Sequence, residues 1–181
     1  MNVVSRQEVE QYLDISIERD SYVDRLIEAV SDRLAEYCNR DDWGSTTERT
    51  EYADGGTCMV LLGVWPIVSV SAIYDDPCHD WDIGELLDSD SYYAGKNGVI
   101  YYEDGYFLNG KENVKVVYVG GYENEAAIPS KIKSAALMQI KNEYLSQQPS
   151  VNSQMFENAS DEGLLPEVSN LMDPYKRNVP F

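Results

Sequence analysis

Seven apolar residues, Val23, Leu26, Ile27, Val30, Leu34, Tyr37 and Cys38, recur at α-helical spacing and fall in one narrow stripe, with Asp24, Glu28, Asp32 and Glu36 off it. This amphipathic helix is the strongest constraint in the chain. Asp20 suits its N-cap and Asn39 its stop. Ahead of it, Ser5 followed by Glu8 has the form of a capping box and opens a shorter helix that includes Val9, Tyr12 and Leu13.

From about residue 45 to 121 the period changes. Gly, Asp and Asn punctuate short Val-, Ile- and Tyr-rich runs, which predict strands at 58–62, 68–74, 91–94, 99–102 and 114–119. Asn97-Gly98 and Asp54-Gly55-Gly56 are the expected turns. Helical spacing returns at Pro129, expected at a first helical position, and continues to about Gln147. Ile132, Ala136, Leu137, Ile140 and Tyr144 form one face, and Met138 and Leu145 lie on the opposite side. A polar loop, 146–162, precedes a last short helix from Pro166 to about Asp173-Pro174 and an apolar end, Val179-Pro180-Phe181.

The expected fold class is therefore α+β: a mainly α-helical bundle with a small inserted antiparallel β region. The expected organisation is one domain over 1–181, with a helical core of 1–40 and 129–175, a β insertion at 45–121, a flexible loop at 146–162 and a C-terminal arm at 163–181.

Charge narrows the function. Of 181 residues, 32 are acidic and 14 basic, a formal charge of −18. Such a chain is a poor ligand for a nucleic-acid backbone or an anionic membrane. Cys38, Cys58 and Cys78 show no CxxC spacing and are expected as free thiols in a reducing compartment. Met1 to Arg6 lacks a signal-peptide pattern, and no apolar run approaches the roughly 18 residues of a membrane span. Cytoplasm-like conditions are expected.

The motifs of chemistry fail one by one. Gly105 to Lys111 has P-loop spacing, but Glu112 stands where Ser or Thr should bind magnesium and a strand is expected where the motif needs a helix. A turn is the better reading. Asp75, Asp76, His79, Asp80 and Asp82 form a dense loop whose glycine and closing Glu do not fit a calcium loop, so a solvated loop is expected. His79 is the sole histidine, with no Gly-x-Ser-x-Gly elbow to serve. No catalytic residue, metal ligand or cofactor is assigned, and a non-enzymatic assembly protein is expected.

The order of segments carries a resemblance. The helix Leu26–Arg40, the run Trp65-Pro66-Ile67-Val68-Ser69-Val70 with Ile73-Tyr74, the strand Val114–Tyr118 with Gly120-Gly121-Tyr122, Ile128-Pro129 with Ile132-Lys133 and Ala135-Ala136, and the end Leu165-Pro166-Glu167-Val168 through Leu171–Arg177 together resemble the tailed-phage head–tail connector (adaptor) family. Tyr144 is followed by Leu-Ser-Gln-Gln where that family usually carries an Arg. The resemblance implies a subunit of a ring, about a dozen copies, below the portal protein, which extends the DNA channel from head to tail and meets the next neck or tail-completion protein. It implies a virion location at that junction, assembly in the host cytoplasm and double-stranded DNA passing without specific binding.

Two contact sets are expected. Leu164, Leu165, Leu171 and Met172, with Tyr175, Lys176 and Arg177, are expected to reach out of the subunit to portal or a neighbour. Met138 and Leu145 are expected at the subunit interface. The competing readings are an acidic DNA-mimic inhibitor of a basic host protein, and a small β-rich carboxylate-dependent hydrolase using loop 75–82.

Overall fold

The computed structural model describes residues 1–14, 21–44, 47–81, 86–103, 105–146 and 163–177. Asp20, Asp82, the polar stretch 147–162 and the end Val179-Pro180-Phe181 lie outside the described residues. The chain is mixed α+β, with helices α1 (Arg6–Leu13), α2 (Ser21–Tyr37), α3 (Ser130–Ser146) and α4 (Pro166–Met172), and strands β1 (Arg49–Ala53), β2 (Met59–Leu61), β3 (Ile67–Asp75), β4 (Tyr92–Gly95), β5 (Val99–Tyr102) and β6 (Val114–Gly120). It divides into two compact units, Met1–Asp41 with Asn124–Phe181, and Asp42–Glu123.

In the helical unit the capping box forms in full. Ser5 accepts from the Glu8 backbone and Glu8 reaches back to Ser5, so two orphan donors at the start of α1 are satisfied. The stripe on α2 is buried at Val23, Leu26, Ile27, Val30 and Leu34, and Cys38 is buried just beyond the helix. Asn39 ends it as expected: its φ of 55° allows its N–H to bond the Glu36 carbonyl while Arg40 N–H bonds the Ala35 carbonyl, a Schellman closure. Burial pushes the Cys38 thiol up to about 11, which keeps it protonated and unreactive, whereas Cys58 and Cys78 are exposed.

α3 begins one residue later than expected. Pro129 is the N-cap, and its carbonyl accepts from Ile132 and Lys133. The buried face is also rotated. Ile132, Ala136 and Ile140 are inside as expected, but Ala135 and Gln139 join them, while Leu137 and Tyr144 are only half-buried. The reason is the segment from Gly163 onward, which lies along this side of α3.

An ion pair ties α1 to α3: Lys133 Nζ stands 2.6 Å from Glu8 Oε1. Burial raises the Glu8 carboxyl, but the Lys133 ammonium and the Ser5 backbone N–H and hydroxyl outweigh it and hold it below its ordinary value. A carboxyl depressed in the folded state adds stability above its unfolded value, and that stability is lost as pH falls through the folded value. Glu8→Gln is therefore expected to lose less than about 1 kcal/mol at neutral pH, because the pair is partly exposed, and to match the parent near pH 3. Denaturant midpoints at the two pH values check this; a deficit that persists unchanged in acid contradicts it.

Among its described residues the β unit holds two antiparallel sheets, ordered β1-β6-β3 and β2-β5-β4. Central strand β6 buries Val114, Val116, Tyr118 and Gly120 at every second position. Both sheets face one core of Val60, Leu62, Val64, Ile73, Ile100, Phe107, Val114, Val116 and Tyr118. The five expected strands are present with small boundary shifts. β1 was not among them: Arg-Thr-Glu-Tyr-Ala has little apolar content and becomes a strand by pairing in register with β6, from Arg49 opposite Tyr118 to Ala53 opposite Val114. The Asn97-Gly98 turn joins β4 to β5 as a three-residue loop with Gly98 at φ 80°.

Candidate assembly surfaces

Residues 163–177 do not reach outward. Leu164, Val168 and Met172 are buried in the helical unit. Gln139 grips the segment: its side-chain oxygen accepts from Leu165 N–H at 3.0 Å, and its amide donates to the Gly163 carbonyl at 3.2 Å and to Glu143 at 2.7 Å. Arg33 adds a bond to the same carbonyl at 3.1 Å and an ion pair to Glu143 at 2.8 Å. Further along, Tyr37 OH donates to Asp173, the Lys176 ammonium sits 4.3 Å from the Tyr37 ring centre, and Arg177 N–H bonds the Cys38 carbonyl. The expectation of an arm held away from its own core is thus corrected for residues 163–177. Three apolar residues at helical spacing, too few to form a stable helix alone, gain most by covering α2 and α3.

Of the seven residues assigned to portal or neighbour contact, Leu164 and Met172 are consumed by this packing. Leu165, Leu171, Tyr175, Lys176 and Arg177 remain half-exposed, with the Lys176 ammonium turned toward Tyr37. A cleft of about 210 Å³ opens beside it, lined by Arg33, Glu36, Tyr37, Asn39, Leu164 and Lys176. Met138 and Leu145 are half-buried, on the side of α3 away from its buried face.

In the β unit, the loop with P-loop spacing leads into strand β6, so it has no helix N-terminus to offer a phosphate. What organises it is Asn113, fully buried. The Asn113 amide donates to Asp75 at 2.9 Å and to the Leu108 carbonyl at 2.8 Å; its side-chain oxygen accepts from Gly55 N–H at 2.9 Å, and its own carbonyl accepts from Asp76 N–H at 2.8 Å. Gly55 is required there, since a Cβ would stand 2.0 Å from the Leu108 carbonyl oxygen.

The loop from Asp75 is exposed over Pro77–Asp80, as expected, but not at its start. Asp75 and Asp76 are buried, because their carboxylates are occupied by backbone: Asp75 accepts from Leu108 N–H, and Asp76 from Cys78 and Asp80 N–H. His79 contacts the Lys111 carbonyl at 2.9 Å. Among the described residues no three His, Cys, Asp or Glu side chains are grouped to hold a metal, and no described helix is long and apolar enough to cross a membrane.

The outer surface of this unit carries several exposed tyrosines. Tyr93 and Tyr101, opposite each other on β4 and β5, stack at 6.3 Å, and Tyr106 is 73% exposed. Val68, Leu86 and Leu108 are exposed as well. Exposed tyrosines and aliphatics gathered in one small unit are the composition of a protein-contact surface.

Exposed tyrosines and aliphatics on one unit, and exposed charged rows on the other, suit a mixed α+β subunit that packs against other chains. The comparisons agree. The head completion protein family model matches residues 2–178, and the chain belongs to that family, among the phage head–tail connectors. It is a structural head–tail subunit.

No curated protein matches it significantly. Among solved structures it is similar to a chain in the neck of an empty GTA particle computed with C6 symmetry (TM-score 0.64, 11% identity, covering 99% of this chain and 92% of that one). It is also similar to one in the neck of a native GTA particle computed with C12 symmetry (TM-score 0.56, 13% identity, 97% and 89%). A third likeness is to a chain in the virion of a native gene transfer agent particle (TM-score 0.57, 13% identity, 99% and 92%). At these identities the likeness bears on the fold.

Proposed function

We propose that the chain is the ring-forming adaptor of a tailed-phage head–tail junction. About a dozen copies close beneath the portal, extend the DNA channel and receive the next neck or tail-completion protein. The match of residues 2–178 to the head completion family carries this reading, and likeness to chains in GTA necks computed with C6 and C12 symmetry supports the cyclic arrangement. The subunit acts by packing and performs no bond chemistry. Its charge of −18 gives a closed ring an acidic lumen that repels passing DNA. It assembles in the host cytoplasm and stays at the junction in the virion.

Native mass at low and high protein concentration tests the ring. A concentration-dependent cyclic oligomer is expected; a monomer that instead captures a basic nucleic-acid-binding protein supports the DNA-mimic reading and defeats this one.

Portal or neighbour contact is assigned to the half-exposed residues of the seated segment, Leu165, Leu171, Tyr175, Lys176 and Arg177. Leu171→Ser with Tyr175→Ala is expected to leave the fold intact, since both positions are half-exposed, and to cut the yield of tailed particles at least tenfold, with heads accumulating. Normal particle yield from a folded double variant removes these residues from the contact.

A further inference from the structure

The helical unit carries two charge patterns that its own packing leaves unmatched. On α2, Glu28, Asp32 and Glu36 follow each other at four-residue intervals and are all exposed. They form a row about 12 Å long on one side of the helix. Like charges at this spacing weaken a helix. Asp24, the first of the series, is answered within the chain by Arg6 at 3.1 Å. Among the described residues, Glu28, Asp32 and Glu36 make no ion pair.

α3 has the opposite character. In a chain with 32 acidic residues it holds three lysines, Lys131, Lys133 and Lys141, and one acid, Glu143. Lys133 and Glu143 are already paired, with Glu8 and Arg33. Lys131 and Lys141 are exposed, and among the described residues Lys141 has only the Tyr12 ring beside it, at 5.5 Å from its centre. At 100° per residue, Lys131, Met138, Lys141 and Leu145 fall within about 80° of one another. They make a strip with two cations at its margin, about 15 Å apart along the helix, and two half-buried apolar side chains in the middle.

We propose that these two surfaces are halves of one interface: the Glu28–Asp32–Glu36 row of one subunit seats on the Lys131–Met138–Lys141–Leu145 strip of the next copy in the ring. α2 and α3 pack on each other, so their solvent faces point away from a shared core. Two different faces of one chain that complement each other make a heterologous contact, the kind that closes into a ring. The lengths and signs agree, and the apolar centre supplies the dry part of the contact that charges alone lack. The occupant is a second copy because this same chain supplies both halves. The assignment rests on the ring reading above and specifies which faces meet.

A charge exchange tests it in the full chain. One variant carries Lys131→Glu with Lys141→Glu; the other carries Glu28→Lys, Asp32→Lys and Glu36→Lys. Each presents like charges across the junction and is expected to stay folded by circular dichroism and to self-associate at least tenfold more weakly than the parent. Mixed in equal amounts, the two restore opposite signs at every junction and are expected to recover cyclic oligomers by native mass, with the recovery weakening as salt rises. The same variants are scored in particles, where assembly that occurs only on the head is also read. Parent-like assembly by either variant alone, or folded variants that fail to recover on mixing, overturns the pairing and leaves the ring reading standing. A parent present as a single copy per particle overturns both.

Discussion

Replacing Asn113 by alanine is expected to destabilise the β unit by about 3–5 kcal/mol, the scale of breaking a buried network around a charge. The side chain is fully buried and serves three partners: the Asp75 carboxylate, the Leu108 carbonyl and Gly55 N–H. Alanine leaves Asp75 in the interior with one donor fewer and leaves the Leu108 carbonyl facing a void. Gly55 N–H keeps a second acceptor, the Gly110 carbonyl at 3.1 Å, so its loss is partial. Asn113→Asp is expected to do worse than the truncation, because it sets a second carboxylate against Asp75. Chemical denaturation monitored by tyrosine fluorescence checks both. A loss below about 1 kcal/mol for alanine would mean that water replaces the amide at little cost.

Gln139→Ala is expected to cost the helical unit about 2–4 kcal/mol and to loosen residues 163–177 in particular. Leu165 N–H loses its acceptor, and Glu143 loses a donor, each worth roughly 1–3 kcal/mol where the group is buried. The Gly163 carbonyl retains Arg33. The affected stretch is anchored beyond that point by Val168 and Met172, both buried, so it stays in place while opening more often. Amide hydrogen exchange separates local from global loss: protection is expected to fall first at Leu165–Met172 and to persist in α2. Uniform loss across the unit would show Gln139 to be an ordinary core position.

Much of the architecture was legible in the residue order. The α2 stripe, the Ser5–Glu8 box, the Asn39 stop, the Gly98 turn and the α4 start at Pro166 are local events, set by side-chain spacing and by which residues tolerate capping geometry. The head–tail family was legible as well, through the sequence of such segments and not through any one of them. β1 was not legible, because Arg49–Ala53 has no strand pattern of its own and borrows its conformation from β6. Nor was the role of the two amides, since Asn and Gln at those positions look like surface residues until distant backbone groups arrive beside them.

Periodicity and capping thus determined the α+β class and most element positions, because they depend on neighbours a few residues apart. Only the tertiary structure decided that residues 163–177 fold back on α2 and α3, that Asp75 and Asp76 turn inward, and that Gln139 and Asn113 hold the two units' irregular segments in place. Those outcomes depend on backbone donors and acceptors tens of residues away, such as the Gly55 N–H that meets Asn113 and the Leu165 N–H that meets Gln139. A buried polar group must be satisfied by whatever the fold brings to it, and no local pattern carries that information.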